Sequence, residues 1–292
     1  MSTLNNKIDF VALLSVDRAN ANGDPLDGNR PRTDYDGYGE MSDVCIKRKI
    51  RNRMQDMGQP IFVQSADRCD DGYSSLSKRA SGVMKGEKDR NIYAKKACET
   101  WLDVRAFGQV FAFGGGKKKG KDTENDEGVS IGVRGPVTFH HAISVSPVDV
   151  VTFKITKSVN GDDPKNGKDK SSDTMGEKHF VRFVLYLLKG SINVQLAQKT
   201  GFTYEDAMIV KEALRTLFEG DASSARPEGS MEVVKLFWFE HDCPTGQYST
   251  AKVHRSVKVS LKPDVLVPRS VEDYEIHLEE LPGLIPEVID GI

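Results

Sequence analysis

A cluster of basic side chains stands out between Lys47 and Arg53, where five of seven residues are Lys or Arg and none is acidic. An ordinary surface helix mixes in glutamates, because opposite charges three or four residues apart stabilise it. A cluster of one sign instead suits the binding of phosphate groups, which attract Lys and Arg whatever the base sequence. The alternative is an amphipathic helix whose basic face is simply solvated.

Three consecutive elements would position this cluster. The apolar run Ile8 to Val16 predicts a strand in the middle of a sheet, covered on at least one side. A long polar loop follows from Asp17 to Glu40, and its Gly and Asn residues tolerate the positive φ angles that turn backbone N–H groups into a concave nest. Ser42 to Met57 then predicts a helix, because its apolar residues recur on one stripe: Ile46, Ile50, Met54 and Met57.

Composition bounds the class of protein without identifying it. The 292 residues carry 41 basic and 43 acidic side chains, a net charge of −2, although a typical nucleic-acid binder is basic overall. The distribution is uneven, with basic residues between Lys252 and Lys262 and a largely acidic tail from Asp264 to Ile292. The four cysteines are far apart, and we find no signal peptide or membrane-length apolar run, so we expect a cytoplasmic protein without a disulfide framework or zinc site.

One segment imitates a nucleotide-binding loop. Gly115 to Lys121 has the spacing of the phosphate-binding P-loop, but the next residue is Asp122 instead of Ser or Thr, and no helical pattern follows. We therefore expect a flexible basic loop there and no nucleotide cofactor.

Further elements follow from periodicity. Short helices and loops are expected from Gln59 to Lys96, a helix over Ala97 to Val110, and a helix over Thr203 to Glu219 with Thr203 and Asp206 as its N-terminal cap. Alternation predicts single strands over Val137 to Val145 and over Ala251 to Lys262, the latter with His254 facing outward.

Two more strands frame a polar excursion. Val151 to Lys157 is expected to turn Val151, Phe153 and Ile155 inward, and Phe180 to Leu188 is strongly apolar. The residues between them, Ser158 to His179, are rich in Gly, Lys and Asp, which suggests a protruding hairpin-like arm or a disordered insertion. With the core strand Val233 to Phe239, the element order fits an α+β fold, a βαββαβ ferredoxin-like sheet of the kind found in the RNA-recognition motif (RRM).

Longer motifs make the sequence resemble a known family. The chain is similar to the crRNA-binding backbone subunit of the CRISPR Cascade complex, the seventh Cas family of the RAMP superfamily, in its subtype I-C form. The resemblance spans nearly the whole chain and rests on these segments: SVDRANANGDPLDGNRPRTD, GYGEMSDVCIKRKIRNRM, DVRAFGQVF, RGPVTF, ITKSV, SDTMGEKH, YLLKGSIN, DASSARPEGS and YSTAKVHRSVKV.

The resemblance implies an architecture and a role. The architecture is a single RRM-like domain over residues 1–292, with an inserted finger region at about 59–130 and a β-hairpin thumb at 156–179. The role is that of a non-catalytic subunit that binds the backbone of a guide RNA (crRNA) and oligomerises along it as a helical filament in antiviral, RNA-guided DNA targeting. Its partners would be the guide, the target DNA strand paired to it, further copies of itself, and the Cascade subunit that binds the 5′ handle together with the large and small subunits.

The resemblance also implies site residues. Phosphate contacts would come from the basic helix through Lys47, Arg48, Lys49 and Arg51. Loop residues lining the groove would be Arg18, Asn20, Asn22 and Arg30, with Arg226 as a further contact. The thumb would supply Lys157, Met175 as an apolar wedge, Lys178 and His179. No metal or cofactor is expected.

An alternative is a metal-dependent ribonuclease. Related RNA-guided complexes use an aspartate of the equivalent first loop, which here contains Asp24, Asp27, Asp34 and Asp36. However, Asp-Pro and Asp-Gly pairs are ordinary turn formers, and no clustered set of acidic residues and histidines accompanies them.

Overall fold

Long strands and short helices alternate along the chain. The computed structural model describes residues 3–87, 89–112, 130–156 and 175–292. Its strands are β1 (Ile8–Ala19), β2 (Gly23–Asp24), β3 (Arg30–Pro31), β4 (Tyr38–Met41), β5 (Gly108–Ala112), β6 (Ser130–Arg134), β7 (Val137–Phe139), β8 (Ala142–Pro147), β9 (Val150–Thr156), β10 (Met175–Ile192), β11 (Met231–Glu240), β12 (Val257–Leu261), β13 (Tyr274–Leu278) and β14 (Glu287–Asp290). Its α-helices are α1 (Asp43–Asp56), α2 (Leu76–Met84), α3 (Arg90–Thr100), α4 (Leu102–Phe107), α5 (Val194–Thr200), α6 (Tyr204–Arg215) and α7 (Thr250–Ser256).

The largest sheet is antiparallel and has β1 near its middle. Eight strands belong to it, in the order β14-β11-β1-β10-β8-β4, and β7 and β9 also pair with β10. The first nine residues of β1 are buried, as a strand flanked on both edges and covered on both faces must be. The fold is therefore mixed α/β with a large antiparallel sheet.

Two apolar clusters cover the faces of β1. On one face Phe10, Ala12 and Leu14 pack into a core shared with α1 and α6. On the other face Val11 and Leu13 pack against residues of α7, β12 and β13. Because side chains alternate along a strand, neighbouring residues of β1 enter different cores.

Gly190 of β10 shows how tightly the first core is packed. The Phe10 ring stacks on Trp238, with ring centroids 5.5 Å apart, and lies against Gly190. A Cβ atom at position 190 would lie 2.2 Å from Cζ of Phe10 and 2.6 Å from the carbonyl oxygen of Thr138, so only glycine fits.

A third cluster is separate from the sheet. Phe62, Trp101 and Phe111 lie at its centre, and α2, α3 and the β5–β6 hairpin surround them. The expectation of short helices and loops over Gln59 to Lys96 is confirmed. The expected helix over Ala97 to Val110 is wrong in its bounds, because Trp101 is extended and separates α3 from α4, and Gly108 at φ 79° begins β5.

The strongest sequence signals are confirmed. The expected strands around Ile8 to Val16 and Val233 to Phe239 are present as β1 and β11. Ser42 caps α1 by accepting a hydrogen bond from the Cys45 N–H, and Thr203 and Asp206 form a reciprocal capping box at the start of α6. Local capping chemistry and helical periodicity therefore suffice to place these helices.

The single strand expected over Val137 to Val145 is wrong. Phe139 lies opposite Gly190 and Ile143 opposite Leu187, so this side of the ladder contains one more residue than β10 does. Such a bulge reverses which residues face the core, and Ala142 is buried while Ile143 is only half-buried.

The strand expected over Ala251 to Lys262 is also wrong in its first half. Ser249 accepts a hydrogen bond from the Lys252 N–H and starts α7, and Val253 and Val257, four residues apart, both reach the second core. His254 is buried, contrary to the expectation, and its Nε2 donates to the carbonyl oxygen of Gly190 at 2.9 Å.

Candidate nucleic-acid interface

The predicted first loop contains a small hairpin. β2 and β3 pair, with Gly23 opposite Pro31. The backbone carbonyl oxygen of Asp24 accepts hydrogen bonds from the backbone N–H groups of Asp27 and Asn29. Gly28 and Asn29 adopt positive φ angles of 55° and 62°, as the Gly and Asn content predicted. We call Gly23–Pro31 the loop hairpin.

Asn20 and Asn22 hold the loop hairpin in place. The Asn20 side chain is buried and its Nδ2 donates to the carbonyl oxygen of Asn29 at 2.7 Å. Oδ1 of Asn22 accepts from the backbone N–H of Ser42, the cap of α1, at 2.9 Å. These hydrogen bonds fix the position of the loop hairpin, and Oδ1 of Asn20 is buried without a hydrogen-bond partner among the described residues.

A two-stranded ribbon extends from the sheet beside the loop hairpin. β9 pairs with the first part of β10, from Thr156 opposite Met175 to Val150 opposite Val181. The two strands expected on either side of the polar excursion therefore pair with each other, and the hairpin-like arm itself stays a prediction. The segment that joins its strands, with Lys157, lies outside the described residues, as do the side chain of Met175 and the Gly115 to Lys121 loop.

The loop hairpin contacts the polar face of this ribbon. Arg30 Nη1 donates to Thr152 Oγ1 at 3.4 Å, and the same hydroxyl lies 2.9 Å from Nδ1 of the buried His179. A Cβ atom at Gly28 would lie 4.0 Å from Nε2 of His179, so the loop hairpin passes close to the imidazole. The structure thus brings together Arg30 and His179, which the sequence placed in two separate regions, and it adds Thr152, which no sequence signal identified.

The opposite face of the ribbon is apolar and uncovered by the described residues. Phe153 and Ile155 are 51% and 50% exposed, so the expectation that they point inward is wrong. The ribbon lies beyond the part of the sheet that α1 and α6 cover, which leaves these side chains without a core to enter. The ring of Phe153 packs against Phe180, with centroids 5.1 Å apart, and Lys178 is the exposed residue directly across the ladder from Phe153.

The basic helix is closely paired with acids that are distant in sequence. Lys49 is only 4% exposed and forms an ion pair with Asp221, which also binds Nε of Arg226 at 2.9 Å. Burial lowers the pKa of the Lys49 ammonium, although the Asp221 carboxylate opposes this change. Asp221 therefore joins α1 to the turn that carries Arg226.

The remaining cations of α1 also have partners within the chain. Arg51 Nε donates to the fully buried Asp103 at 2.9 Å, and Arg48 Nη1 donates to the carbonyl oxygen of Val63 at 2.7 Å. Lys47 pairs with Asp43 at 3.0 Å, four residues away on the same helix. Arg53 contacts Glu219 and Thr216. Among the four predicted phosphate ligands, Lys47 has the most exposed pair and is the one best placed to exchange its partner for a phosphate.

Other predicted cations remain available. Arg18 and Lys178 are exposed, and neither makes an ion pair with any residue in the described ranges. The Arg30 side chain is 42% exposed, and besides its hydrogen bond to Thr152 it makes a long ionic contact of 3.9 Å with Asp27. These groups border the loop hairpin and the ribbon, so the accessible positive charge lies there.

The aspartates of the first loop act in turns. Asp24 accepts from the Leu26 N–H and from Arg32, and Asp34 accepts from the N–H groups of Asp36 and Tyr38. Among the described residues, no group of three or more His, Cys, Asp or Glu side chains is arranged to hold a metal ion.

None of the helices in the described part of the chain has the length and hydropathy that crossing a membrane requires.

Comparisons with known proteins agree on one family. The family model described as CRISPR-associated protein Cas7 matches residues 6–279. A CRISPR-associated protein Cas7 from Haloferax volcanii is 29% identical over 156 residues, which are 51% of this chain and 46% of that protein. The matched stretch thus spans a little under half of the relative's length.

Two solved structures are similar at low identity. A chain of a CRISPR RNA-guided surveillance complex, pre-nicking, is 18% identical, with 89% of this chain and 83% of that chain covered and a TM-score of 0.49. A chain of a CRISPR RNA-guided surveillance complex is also 18% identical, with 86% and 74% covered and a TM-score of 0.43. The family model covers nearly the whole sequence and confirms the family that the motifs resemble: the chain belongs to the CRISPR-associated protein Cas7 family.

Proposed function

We propose that this chain is a non-catalytic subunit of a CRISPR surveillance complex that binds the backbone of a guide RNA and oligomerises along it. The observation that carries this proposal is the family match over residues 6–279. The proposed partners are the guide, the DNA strand paired to it, further copies of the chain, and the other subunits of a Cascade complex. The subtype I-C form remains a prediction.

We assign the main sheet to an RRM-like palm. The strands β11, β1, β10 and β8 are neighbours in that order and antiparallel, α1 lies between β1 and β8 in sequence, and α6 lies between β10 and β11. A βαββαβ unit has this arrangement. The third cluster, formed by residues between 60 and 134, is the proposed finger region, and the ribbon with its undescribed connection is the proposed thumb.

The proposed groove lies between the loop hairpin and the ribbon. Arg30 on the loop hairpin and Lys154 on the polar face of the ribbon supply its accessible charge, and Lys47 can join them from α1. Lys178 lies on the opposite face of the ribbon, beside Phe153, and Arg18 lies at the base of the ribbon. A holder that grips every guide must contact ribose and phosphate and leave the base edges to pairing. Exposed cations on a rigid support meet this requirement.

We propose a positioning role for the buried cations of α1. Arg51 is bound to the fully buried Asp103, and releasing it to a phosphate would leave that carboxylate without a cation. Lys49 is itself buried and bound to Asp221, which would keep only Arg226 if Lys49 were released. They connect α1 to the Arg226 turn and to the third cluster. Direct phosphate contact by Lys49, Arg48 and Arg51 is thus the part of the sequence prediction that the geometry supports least.

Purification with the other proteins of its complex tests the proposed function. The chain should carry RNA with it, which raises the ratio of absorbance at the nucleic-acid maximum to that at the protein maximum, and the extracted RNA should have a defined length. A high-salt wash should remove part of this RNA. An assembly that contains the chain but no nucleic acid would contradict the proposal.

A further inference from the structure

A small cleft beside the base of the ribbon is lined by three arginines. It has a volume of about 180 Å³, room for about six waters, and its lining residues are Asp17, Arg18, Arg182, Phe183, Pro268 and Arg269. Arg18 comes from β1, Arg182 from β10, and Arg269 from the segment before β13. We call it the arginine cleft.

The strand register brings two of these arginines close together. Asp17 lies opposite Phe183 and Ala19 opposite Val181, so Arg18 and Arg182 occupy the positions between these two pairs, and both line the cleft. Like charges that face each other across an antiparallel pair destabilise it. Arg18 also has a φ of 47°, in the left-handed region that non-glycine residues rarely adopt, and such strain concentrates at binding sites.

The carboxylates nearby do not neutralise the arginine cleft. Asp149 pairs with Arg182 at 3.1 Å, where both side chains are about half exposed. Asp273 accepts hydrogen bonds from the backbone N–H groups of Arg269 and Ser270. Within the described ranges, neither Arg18 nor Arg269 has an ion-pair partner, although Asp17 also lines the cleft.

We propose that the arginine cleft binds a phosphodiester group of a nucleic-acid strand. It would be a second contact site for the strand, besides the groove between the loop hairpin and the ribbon. Guanidinium groups match phosphate oxygens through paired N–H donors, and a phosphate between Arg18 and Arg182 turns their repulsion into two attractions. The half-buried Phe183 provides a flat apolar wall against which a ribose or base can pack. This proposal rests on the proposed function and extends it to Arg182 and Arg269.

Two arginines of the cleft adjoin the elements of the proposed groove in sequence. Arg182 follows Val181, the last residue of β10 that pairs with β9, and Arg18 precedes the loop hairpin by a few residues. A strand that leaves the groove at the base of the ribbon would pass over the cleft. The strand is either the guide itself or the strand paired to it, since both carry the same phosphodiester group.

Salt-dependent binding by the full chain tests the cleft. A labelled single-stranded RNA is titrated with the unaltered chain, with the triple variant R18N, R182Q and R269Q, and with the control triple variant R90Q, R134Q and R255Q, which removes three exposed arginines elsewhere. Asparagine is chosen at position 18 because it tolerates the left-handed conformation. A second arm measures capture of a complementary DNA strand by each chain already loaded with RNA.

The expected result is about tenfold weaker binding by the cleft variant, with a slope of log affinity against log salt smaller by about 0.7 for each phosphate that it no longer neutralises. The control variant should keep the slope of the unaltered chain. Weaker binding in the first arm assigns the cleft to the guide, and weaker capture in the second arm alone assigns it to the complementary strand. Cleft and control variants that behave alike in both arms would overturn the cleft proposal. If the unaltered chain fails to bind RNA, both the cleft proposal and the proposed function are wrong.

Discussion

Replacing Asp103 with alanine is expected to destabilise the protein by about 3–5 kcal/mol, which would lower its Tm by roughly 10 °C. Asp103 is fully buried and accepts hydrogen bonds from Arg51 Nε at 2.9 Å and from the backbone N–H groups of Phe62 and Val63 at 2.7 and 3.1 Å. Alanine would leave three donors without an acceptor, one of them charged. Thermal and urea unfolding measure the change.

A conservative variant tests the charge at this position, and a control variant tests an exposed aspartate elsewhere. D103N keeps one oxygen for the Phe62 N–H but loses the charge that Arg51 pairs with and the second oxygen that accepts from the Val63 N–H, so its stability should lie between those of the unaltered protein and D103A. D264A, at an exposed aspartate, should change stability by less than about 0.5 kcal/mol. If D103A proves as stable as D264A, Asp103 does not connect α1 to the third cluster as described.

Asp103 also limits which substitutions can test RNA binding. Reversing Arg51 to glutamate would set two carboxylates against each other in a buried position, so weaker binding by that variant would also reflect unfolding. Informative reversals must come from exposed cations that lack a buried partner.

Reversing three exposed cations of the loop hairpin and the ribbon should weaken RNA binding on the order of a hundredfold without changing stability. The variant R30E, K154E and K178E places negative charge on the loop hairpin and on both faces of the ribbon. Removing each cation that neutralises a phosphate also reduces the salt dependence of binding. Fluorescence anisotropy with a labelled single-stranded RNA measures both quantities.

A matched control has the same change in net charge on another surface. The variant K78E, R90E and K95E reverses three exposed cations of α2 and α3. The control variant should lose only the small part of the RNA affinity that long-range attraction provides. The difference in affinity between the control variant and the unaltered chain should therefore vanish as the salt concentration rises. Equal weakening by both variants would mean that RNA responds to total charge and that the groove is wrongly placed.

Local patterns in the sequence were sufficient for much of the fold. The apolar run of β1, the stripe and Ser42 cap of α1, and the capping box of α6 each depend on residues within a few positions of one another. The strand over Ala251 to Lys262 failed because valines four residues apart, at 253 and 257, suit a helix as well as a strand. The bulge before Ala142 was invisible because a strictly alternating sequence does not show how its partner strand is spaced.

The candidate site was harder to predict because its decisive interactions are long-range. Five cations with no acid among them suggested a free basic face on α1, yet Arg51 and Lys49 pair with acids 52 and 172 residues away. Thr152 was missed for the same reason, because its hydroxyl connects Arg30 to His179 through contacts between residues that are far apart in the sequence. Arg18 was identified as a site residue, but its position close to Arg182 required the strand register.

The most direct test of the central claim is the mass of the assembly that the chain forms on RNA of increasing length. Light scattering after size exclusion gives the number of chains bound to single-stranded RNAs of one, two and three times a starting length. A subunit that grips the backbone and contacts its own copies should add chains in proportion to RNA length, whatever the base sequence. One chain per RNA at every length, or assembly that depends on a particular sequence, would contradict the account.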